Sequence, residues 1–141
     1  MTRILGLDFG EKRIGLALSD PTKTLASPLP TLPNNKLTLD KIVDLIKKND
    51  VVQVIIGYPL NMDGTKSKIC ELVDKFVNDL KSKTEIEVIL RDERLTSFIA
   101  YKQIIESVKS KKKRQEKALI DQFSARLILQ EYLDEIKPKN S

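Results

Sequence analysis

Acidic residues occur at three places in the 141-residue sequence where the neighbouring residues are largely apolar. Asp8 ends the apolar segment that starts at Ile4. Glu93 follows Asp92 directly at the end of a second apolar segment, and Asp121 lies in a stretch with helical spacing whose nearest positions on the same face are alanines. A buried carboxylate costs on the order of several kcal/mol unless a cation or hydrogen bonds compensate. These acids are therefore candidates for a functional site.

Each acid also has a purely structural interpretation. Asp8 could cap a turn through its own backbone, and the acids at 92 and 93 could favour the start of a helix. Asp121 could form an ion pair with Lys117 or Arg126. One acid is enough to favour a helix start, so two acids followed by an arginine are more than that purpose requires. Taken one at a time, the residues leave both interpretations open.

Histidine is absent from the sequence, which excludes Ser/His and Cys/His nucleophilic schemes and histidine metal sites. Three carboxylates without histidine suit the oxygen-seeking ions Mg²⁺ or Mn²⁺ better than zinc. Two such ions about 4 Å apart can activate a water and stabilise the leaving oxygen of a phosphodiester. The acids are thus suited to metal-dependent hydrolysis of a phosphate ester.

The formal charge of +5 is compatible with a polyanionic partner, although it is common among proteins that have none. The basic run Lys109–Arg114 precedes Asp121 and favours contact with a nucleic-acid backbone, whereas most such runs are solvated surface. Aromatic residues make up 5% of the chain and tryptophan is absent, so a stacking platform for single-stranded bases is not evident.

Hydrophobic periodicity predicts the order β-β-β-α-β-α-β-α-α. The predicted strands are Arg3–Phe9, Arg13–Ser19, Thr24–Leu32, Val51–Gly57 and Ile86–Arg91, and the predicted helices are Leu37–Lys48, a helix carrying Cys70, Ser97–Val108 and Gln115–Ile136. A hairpin followed by strands that alternate with helices predicts a mixed α/β sheet with helices on both faces and parallel later strands.

Pro28, Pro30 and Pro33, in or directly after the third segment, restrict that strand to a sheet edge or to a partly irregular path. Gly6 and Gly15 lie inside predicted strands, which indicates either close packing of a helix or a ligand role. Cys70 lies on the apolar face of its helix and is expected to be a buried thiol. We expect one domain over residues 1–137, a short polar tail at 138–141, and a soluble cytoplasmic protein with no membrane partner.

The side chains of a strand alternate between the two faces of its sheet, which separates the neighbours Asp92 and Glu93. If the chain stays extended, Glu93 shares one direction with Ile89 and Arg91, and Asp92 points the opposite way. At most one of the two acids can therefore enter a common site. Alternation by itself does not say which.

Several segments together resemble the YqgF family of Holliday-junction resolvases, also described as pre-16S ribosomal RNA nucleases. They are Leu5–Ala17 with Ser19-Asp20, Gly57–Gly64, Asp92–Ser97, Lys111–Lys113 and Asp121–Leu133. The order and spacing of these segments extend over nearly the whole chain. The resemblance implies a ribonuclease H-like three-layer fold, with a mixed five-stranded sheet flanked by helices.

The resemblance also implies metal-dependent hydrolysis of phosphodiester bonds with Mg²⁺ or Mn²⁺. By position, Asp8, Glu93 and Asp121 would be the catalytic and metal-binding residues, and Glu93 is favoured over Asp92. Basic residues in or beside the matching segments are expected to contact the nucleic acid. They are Lys12, Arg13, Arg94, Lys111, Lys112, Lys113 and Arg114.

Precursor 16S ribosomal RNA and branched junction DNA are both expected substrates of such a protein. A resolvase would need two sites and hence a homodimer, whereas an RNA-trimming enzyme could act as a monomer. Two alternatives come from other classes. One is a nucleotide-binding domain of the actin and sugar-kinase type, for which the chain is too short to form a second lobe. The other is a non-catalytic RNA-binding factor in ribosome assembly.

Overall fold

The computed structural model describes the backbone of residues 1–93 and 113–137, and the side chains of residues 1–93 and 123–137. The strands are β1 (Arg3–Phe9), β2 (Arg13–Ser19), β3 (Ala26–Pro33), β4 (Val51–Tyr58) and β5 (Glu87–Asp92), and the helices are α1 (Thr38–Lys48), α2 (Lys68–Lys83) and α3 (Lys113–Ile136). The predicted helix at Ser97–Val108 and the predicted tail at 138–141 lie outside the described residues.

The strands form one five-stranded sheet in the order β3-β2-β1-β4-β5. Strand β2 is antiparallel to both β1 and β3, whereas β1, β4 and β5 are parallel to one another. The predicted mixed sheet is confirmed. Strand β3 lies at the edge, as its prolines require, because proline cannot donate a backbone hydrogen bond to a second neighbour.

Helices cover both faces of the sheet, which confirms the three layers. Helices α1 and α2 pack their apolar stripes on Leu5 and Leu7 of β1 and on the residues of β4 that share their side. Helix α3 packs on the other face, where Ile128 and Leu129 form one apolar cluster with Ile4 and Ile55. Alternation along β1 therefore directs position 8 toward the α3 face, since Ile4, Gly6 and position 8 lie two residues apart.

Several boundaries differ from the predicted ones by one or two residues. Strand β4 extends to Tyr58, β5 is shifted by one residue to Glu87–Asp92, and α1 begins at Thr38. Strand β3 begins at Ala26 and not at Thr24, because the Asp20 carboxylate accepts hydrogen bonds from the backbone of Thr24 and Leu25 and holds them in a turn. These bonds lower the pKa of Asp20 well below its usual range. Helix α3 includes the predicted helix Gln115–Ile136 and also Lys113 and Arg114, the first residues described after the gap.

The described residues contain no helix long and apolar enough to cross a lipid bilayer. Cys70 is buried, as predicted. Its backbone N–H donates to Ser67 Oγ at the start of α2.

Gly6 is a position where the sheet and α3 approach each other closely. A Cβ at Gly6 would lie 2.7 Å from Leu129 Cβ and 3.2 Å from the Ala125 backbone oxygen. Helix packing thus accounts for Gly6 without a ligand.

Replacing Gly6 with Ala should lower the free energy of unfolding by about 1–3 kcal/mol, because the new methyl group pushes against a helix backbone that has little room to move. Chemical denaturation measures this difference. Val52→Ala, at a half-exposed position of the same sheet, is the control and should change stability by less than about 0.5 kcal/mol. A Gly6→Ala protein as stable as the wild type would mean that α3 does not pack tightly against position 6.

Candidate active site

Asp8 lies near the carboxyl end of β1, on the face that α3 covers. It is 8% exposed, and its register partner on β2 is Gly15. The carboxyl ends of the parallel strands β1, β4 and β5 meet at one edge of the sheet, which is the usual position of a ligand crevice in α/β folds. Asp8 thus lies at the edge where a site is expected.

Glu93 follows β5 at the same edge and is 5% exposed. Its Oε1 occupies the space where a side chain on Gly57 would begin. Ile128 of α3 contacts the same space, so Glu93 lies on the α3 face. Alternation places Asp92 on the other side, in register with Tyr58. Glu93 and not Asp92 therefore shares the face of Asp8.

Gly57 lies between the two strand ends that carry the acids. The register pairs Leu7 with Ile56, so the next residues, Asp8 and Gly57, are neighbours across β1 and β4. The missing side chain at Gly57 leaves room for the Glu93 carboxylate to reach across β4 toward Asp8. Gly57 lies in a segment that matches the family, but its neighbours along the chain indicate no role for it.

Gly57→Ala should reduce cleavage at least about tenfold, because the added Cβ occupies the present position of Glu93 Oε1. The loss of stability should stay small, since the atoms that must move are the ends of the flexible Glu93 and Ile128 side chains. Turnover and thermal melting of the variant measure the two effects. Full activity in Gly57→Ala would show that the carboxylate position over residue 57 is not needed.

Helix α3 brings position 121 toward the same edge. Ile128 lies against Gly57 near the carboxyl end of β4. The Tyr132 hydroxyl donates to Gln53 Oε1 near the amino end of the same strand. The helix therefore runs antiparallel to β4, and its earlier turns extend toward the carboxyl ends of the strands. Asp121 lies about one helical turn before Ala125, and the Ala125 backbone oxygen faces Gly6.

The side chain of Asp121 is outside the described part of the structure. Among the side chains that are described, no group of three or more acids or other metal-binding residues occurs. The alternative partner Arg126 donates its Nε to the Ala26 backbone oxygen. The roles of Asp8, Glu93 and Asp121 as metal ligands therefore remain predictions.

Ser124 is a polar residue of α3 that sequence analysis did not single out. It is fully buried, and its hydroxyl has no hydrogen-bond partner among the described residues. Leaving a buried hydroxyl unsatisfied costs about 1–3 kcal/mol, so we expect it to meet a side chain outside the described residues, a ligand or a water. Ser124 is three residues after Asp121 and four before Ile128, and this helical spacing is the signal that could have identified it.

Arg91 fixes the strand that leads to Glu93. Its guanidinium donates to both carboxylate oxygens of Glu135 on α3 at 2.8 and 2.6 Å and lies 3.8 Å from Glu131. The hydrogen bonds to Arg91 lower the pKa of Glu135, and those to Glu135 raise the pKa of Arg91. This charged pair ties β5 to α3, so it positions the start of the segment that carries Glu93.

Two predicted nucleic-acid contacts follow Asp8: Lys12 in the β1–β2 turn and Arg13 as the first residue of β2. Lys12 is exposed and Arg13 is half-buried. Lys113 and Arg114 lie at the described start of α3, where only the backbone is described. Arg94, Lys111 and Lys112 lie outside the described residues, and the role of the whole basic set stays a prediction.

The donors that the described residues bring to this edge fit Mg²⁺ or Mn²⁺. Both acids supply oxygen, Ser124 Oγ is a buried oxygen without a partner among the described residues, and the chain contains no histidine. Hard divalent cations prefer such oxygen ligands. Two carboxylates on one face of one sheet edge also repel each other, which a cation would relieve.

The strand order and the helices on both faces define a protein of the ribonuclease H-like class. Two solved structures share this fold. Fowlpox virus resolvase with Holliday junction DNA has a TM-score of 0.57 and 14% identity, covering 96% of this chain and 99% of that one. T. thermophilus RuvC with a Holliday junction substrate also has a TM-score of 0.57, at 8% identity, covering 96% of this chain and 95% of that one.

The family model RuvX, described as Holliday junction resolvase, matches residues 2–135, and the chain belongs to this family. A protein of Sulfurihydrogenibium sp. named "Putative pre-16S rRNA nuclease" is 42% identical, over 99% of this chain and 95% of its own. One of the same name from Endomicrobium trichonymphae is 43% identical, over 95% and 96%. These matches confirm the resemblance and the prediction of a nuclease acting on phosphodiester bonds.

Proposed function

We propose that this protein is a Mg²⁺- or Mn²⁺-dependent nuclease that acts in the 5′ processing of precursor 16S ribosomal RNA. The observation that supports it most is that two buried carboxylates, Asp8 and Glu93, lie on one face at the carboxyl edge of the sheet, where the missing side chain of Gly57 leaves room for the Glu93 carboxylate. The choice of RNA as substrate is supported by the names of relatives that are at least 40% identical over nearly the full chain.

Asp8 and Glu93 would hold the metal, and Asp121 would complete the ligand set from α3. The bound ions would activate a water and stabilise the leaving oxygen. The remaining residues prepare the site. Arg91 fixes the position of β5 against α3, and Ile128 supplies an apolar wall beside the Glu93 carboxylate.

Cleavage of branched DNA is the second candidate. It is favoured by the description of the family and by the two structural neighbours that were solved with junction DNA. Symmetric cuts in a four-way junction require two active sites, so this activity would require a homodimer. A measured mass in solution therefore bears on the choice between substrates.

The test is cleavage of precursor 16S ribosomal RNA and of a four-way DNA junction, side by side, with Mg²⁺, with Mn²⁺ and with a chelator. We expect cleavage of the RNA only when a divalent ion is present. Cleavage of the junction alone would favour the resolvase. Binding of RNA without cleavage, together with full cellular function when the three acids are replaced, would favour a non-catalytic assembly factor. Binding of ATP without any cleavage would favour the nucleotide-binding class.

A further inference from the structure

A cleft of about 630 Å³ lies at the same sheet edge as Asp8 but on the opposite face. Phe9 directly follows Asp8, and alternation turns it toward α1 and α2. The Phe9 ring lies 5.4 Å from that of Phe76, centroid to centroid, with an angle of 48° between their planes. Leu39 and Leu72 extend this apolar floor. The fold thus brings two of the chain's four phenylalanines together beside the candidate active site.

The walls of the cleft combine amides with balanced charge. Lys36 and Lys75 are offset by Glu11 and Asp79, so the cleft offers no net positive charge to an anion. Its volume is within the range of about 300–1,000 Å³ that is typical of small-molecule sites. An apolar floor with polar walls of zero net charge suits a planar, uncharged and amphipathic group better than a phosphate.

Two asparagines on the wall are held in place by the backbone. Asn34 Nδ2 donates to the Gly10 backbone oxygen at 2.8 Å, and Asn35 Oδ1 accepts from the Leu37 backbone N–H at 2.9 Å. Each amide is thereby fixed through one of its two polar ends. The other ends, Asn34 Oδ1 and Asn35 Nδ2, are an acceptor and a donor, which is the combination that a base edge can pair with.

We propose that this cleft binds one unstacked nucleobase of a single-stranded segment, next to the phosphate that a metal ion bound at Asp8 would contact. The inference rests on the proposed nuclease function and adds to it a requirement for an unpaired nucleotide beside the cut. Because Asp8 and Phe9 are consecutive and face opposite sides of the sheet, a strand that bends around this edge can reach both. The base would pack on Phe9 and Phe76, and the two amides would contact its edge.

Nuclear magnetic resonance titration of the wild-type protein with nucleosides tests the cleft without any need for cleavage. Adenosine, cytidine, guanosine and uridine are compared with ribose and with ribose 5-phosphate. We expect at least one nucleoside to give saturable shifts of the Asn34 and Asn35 side-chain amide signals, with Asn49 at the far end of α1 unchanged. Neither sugar should do so. No shift with any nucleoside at millimolar concentration, or equal shifts with ribose 5-phosphate, would overturn the proposal.

Asn35→Asp is the matched variant, because it keeps the oxygen that accepts from Leu37 and replaces the free donor with an acceptor. Nucleoside affinity should fall at least tenfold, and the KM for single-stranded RNA should rise to a similar extent with kcat unchanged. Asn49→Asp is the control and should alter neither. An Asn35→Asp protein that melts normally and binds nucleosides like the wild type would overturn the assignment.

The two proposals fail in different ways. Nucleoside binding that depends on Asn35, in a protein that cleaves neither RNA nor junction DNA, would leave the cleft assigned and reject the nuclease. Normal metal-dependent cleavage without any nucleoside binding would do the reverse. An abasic nucleotide placed on either side of the cut in turn should raise KM at one side only, which would identify the nucleotide that enters the cleft.

Discussion

Asp8→Asn should abolish metal-dependent cleavage and leave the protein folded. The substitution keeps the shape of the side chain and removes a charge from an edge where Glu93 supplies a second buried carboxylate. Repulsion between the two acids should decrease, so melting without metal should occur at the same or a higher temperature than in the wild type. Turnover and thermal melting in chelator together measure the two effects.

Addition of Mg²⁺ should raise the melting temperature of the wild type and not that of Asp8→Asn, because a ligand stabilises only the protein that binds it. Asp44→Asn makes the same chemical change at an exposed position of α1 and should behave like the wild type in both assays. A loss of folded structure in Asp8→Asn would instead show that the acid has an architectural role. Cleavage by a folded Asp8→Asn protein would exclude it from catalysis.

Glu93→Gln should lower the rate of cleavage by about 100-fold or more, which is the range for loss of a charged group that stabilises the transition state. Glutamine retains the shape that fills the space over Gly57, so folding should be preserved. The effect should appear in kcat more than in KM, since the missing charge is needed during the reaction. Single-turnover cleavage with saturating enzyme measures it.

Asp92→Asn is the comparison that separates the two neighbours. Asp92 is half-buried on the other side of β5, so its replacement should lower the free energy of unfolding by roughly 1–3 kcal/mol and leave turnover nearly unchanged. The assignment of Glu93 would be reversed by an inactive Asp92→Asn enzyme with normal melting beside an active Glu93→Gln enzyme.

Local patterns in the sequence were sufficient to predict most strands and helices. Both β1 and β2 have the predicted bounds, because alternation of apolar residues reflects a period that a single strand carries by itself. The same period placed Asp92 and Glu93 on opposite sides of β5. Boundaries such as the start of β3 were missed, since a side chain several residues away, Asp20, decides where pairing begins.

The amino-acid sequence by itself identified the residues that could do chemistry, because this depends on which side chains are present and on their spacing along one element. It also excluded histidine-based chemistry, because the chain contains no histidine. Tertiary structure alone decided that Gly57 lies between Asp8 and Glu93, since strand register is set by pairing between segments about 50 residues apart. It also decided that α3 runs antiparallel to β4, which brings Ser124 and position 121 toward the acids.

The cleft beside Phe9 and Phe76 likewise depends on the tertiary structure. A composition with few aromatic residues gave no indication of a surface for stacking bases, but packing against a common sheet brings two rings that are distant in sequence into contact beside this cleft.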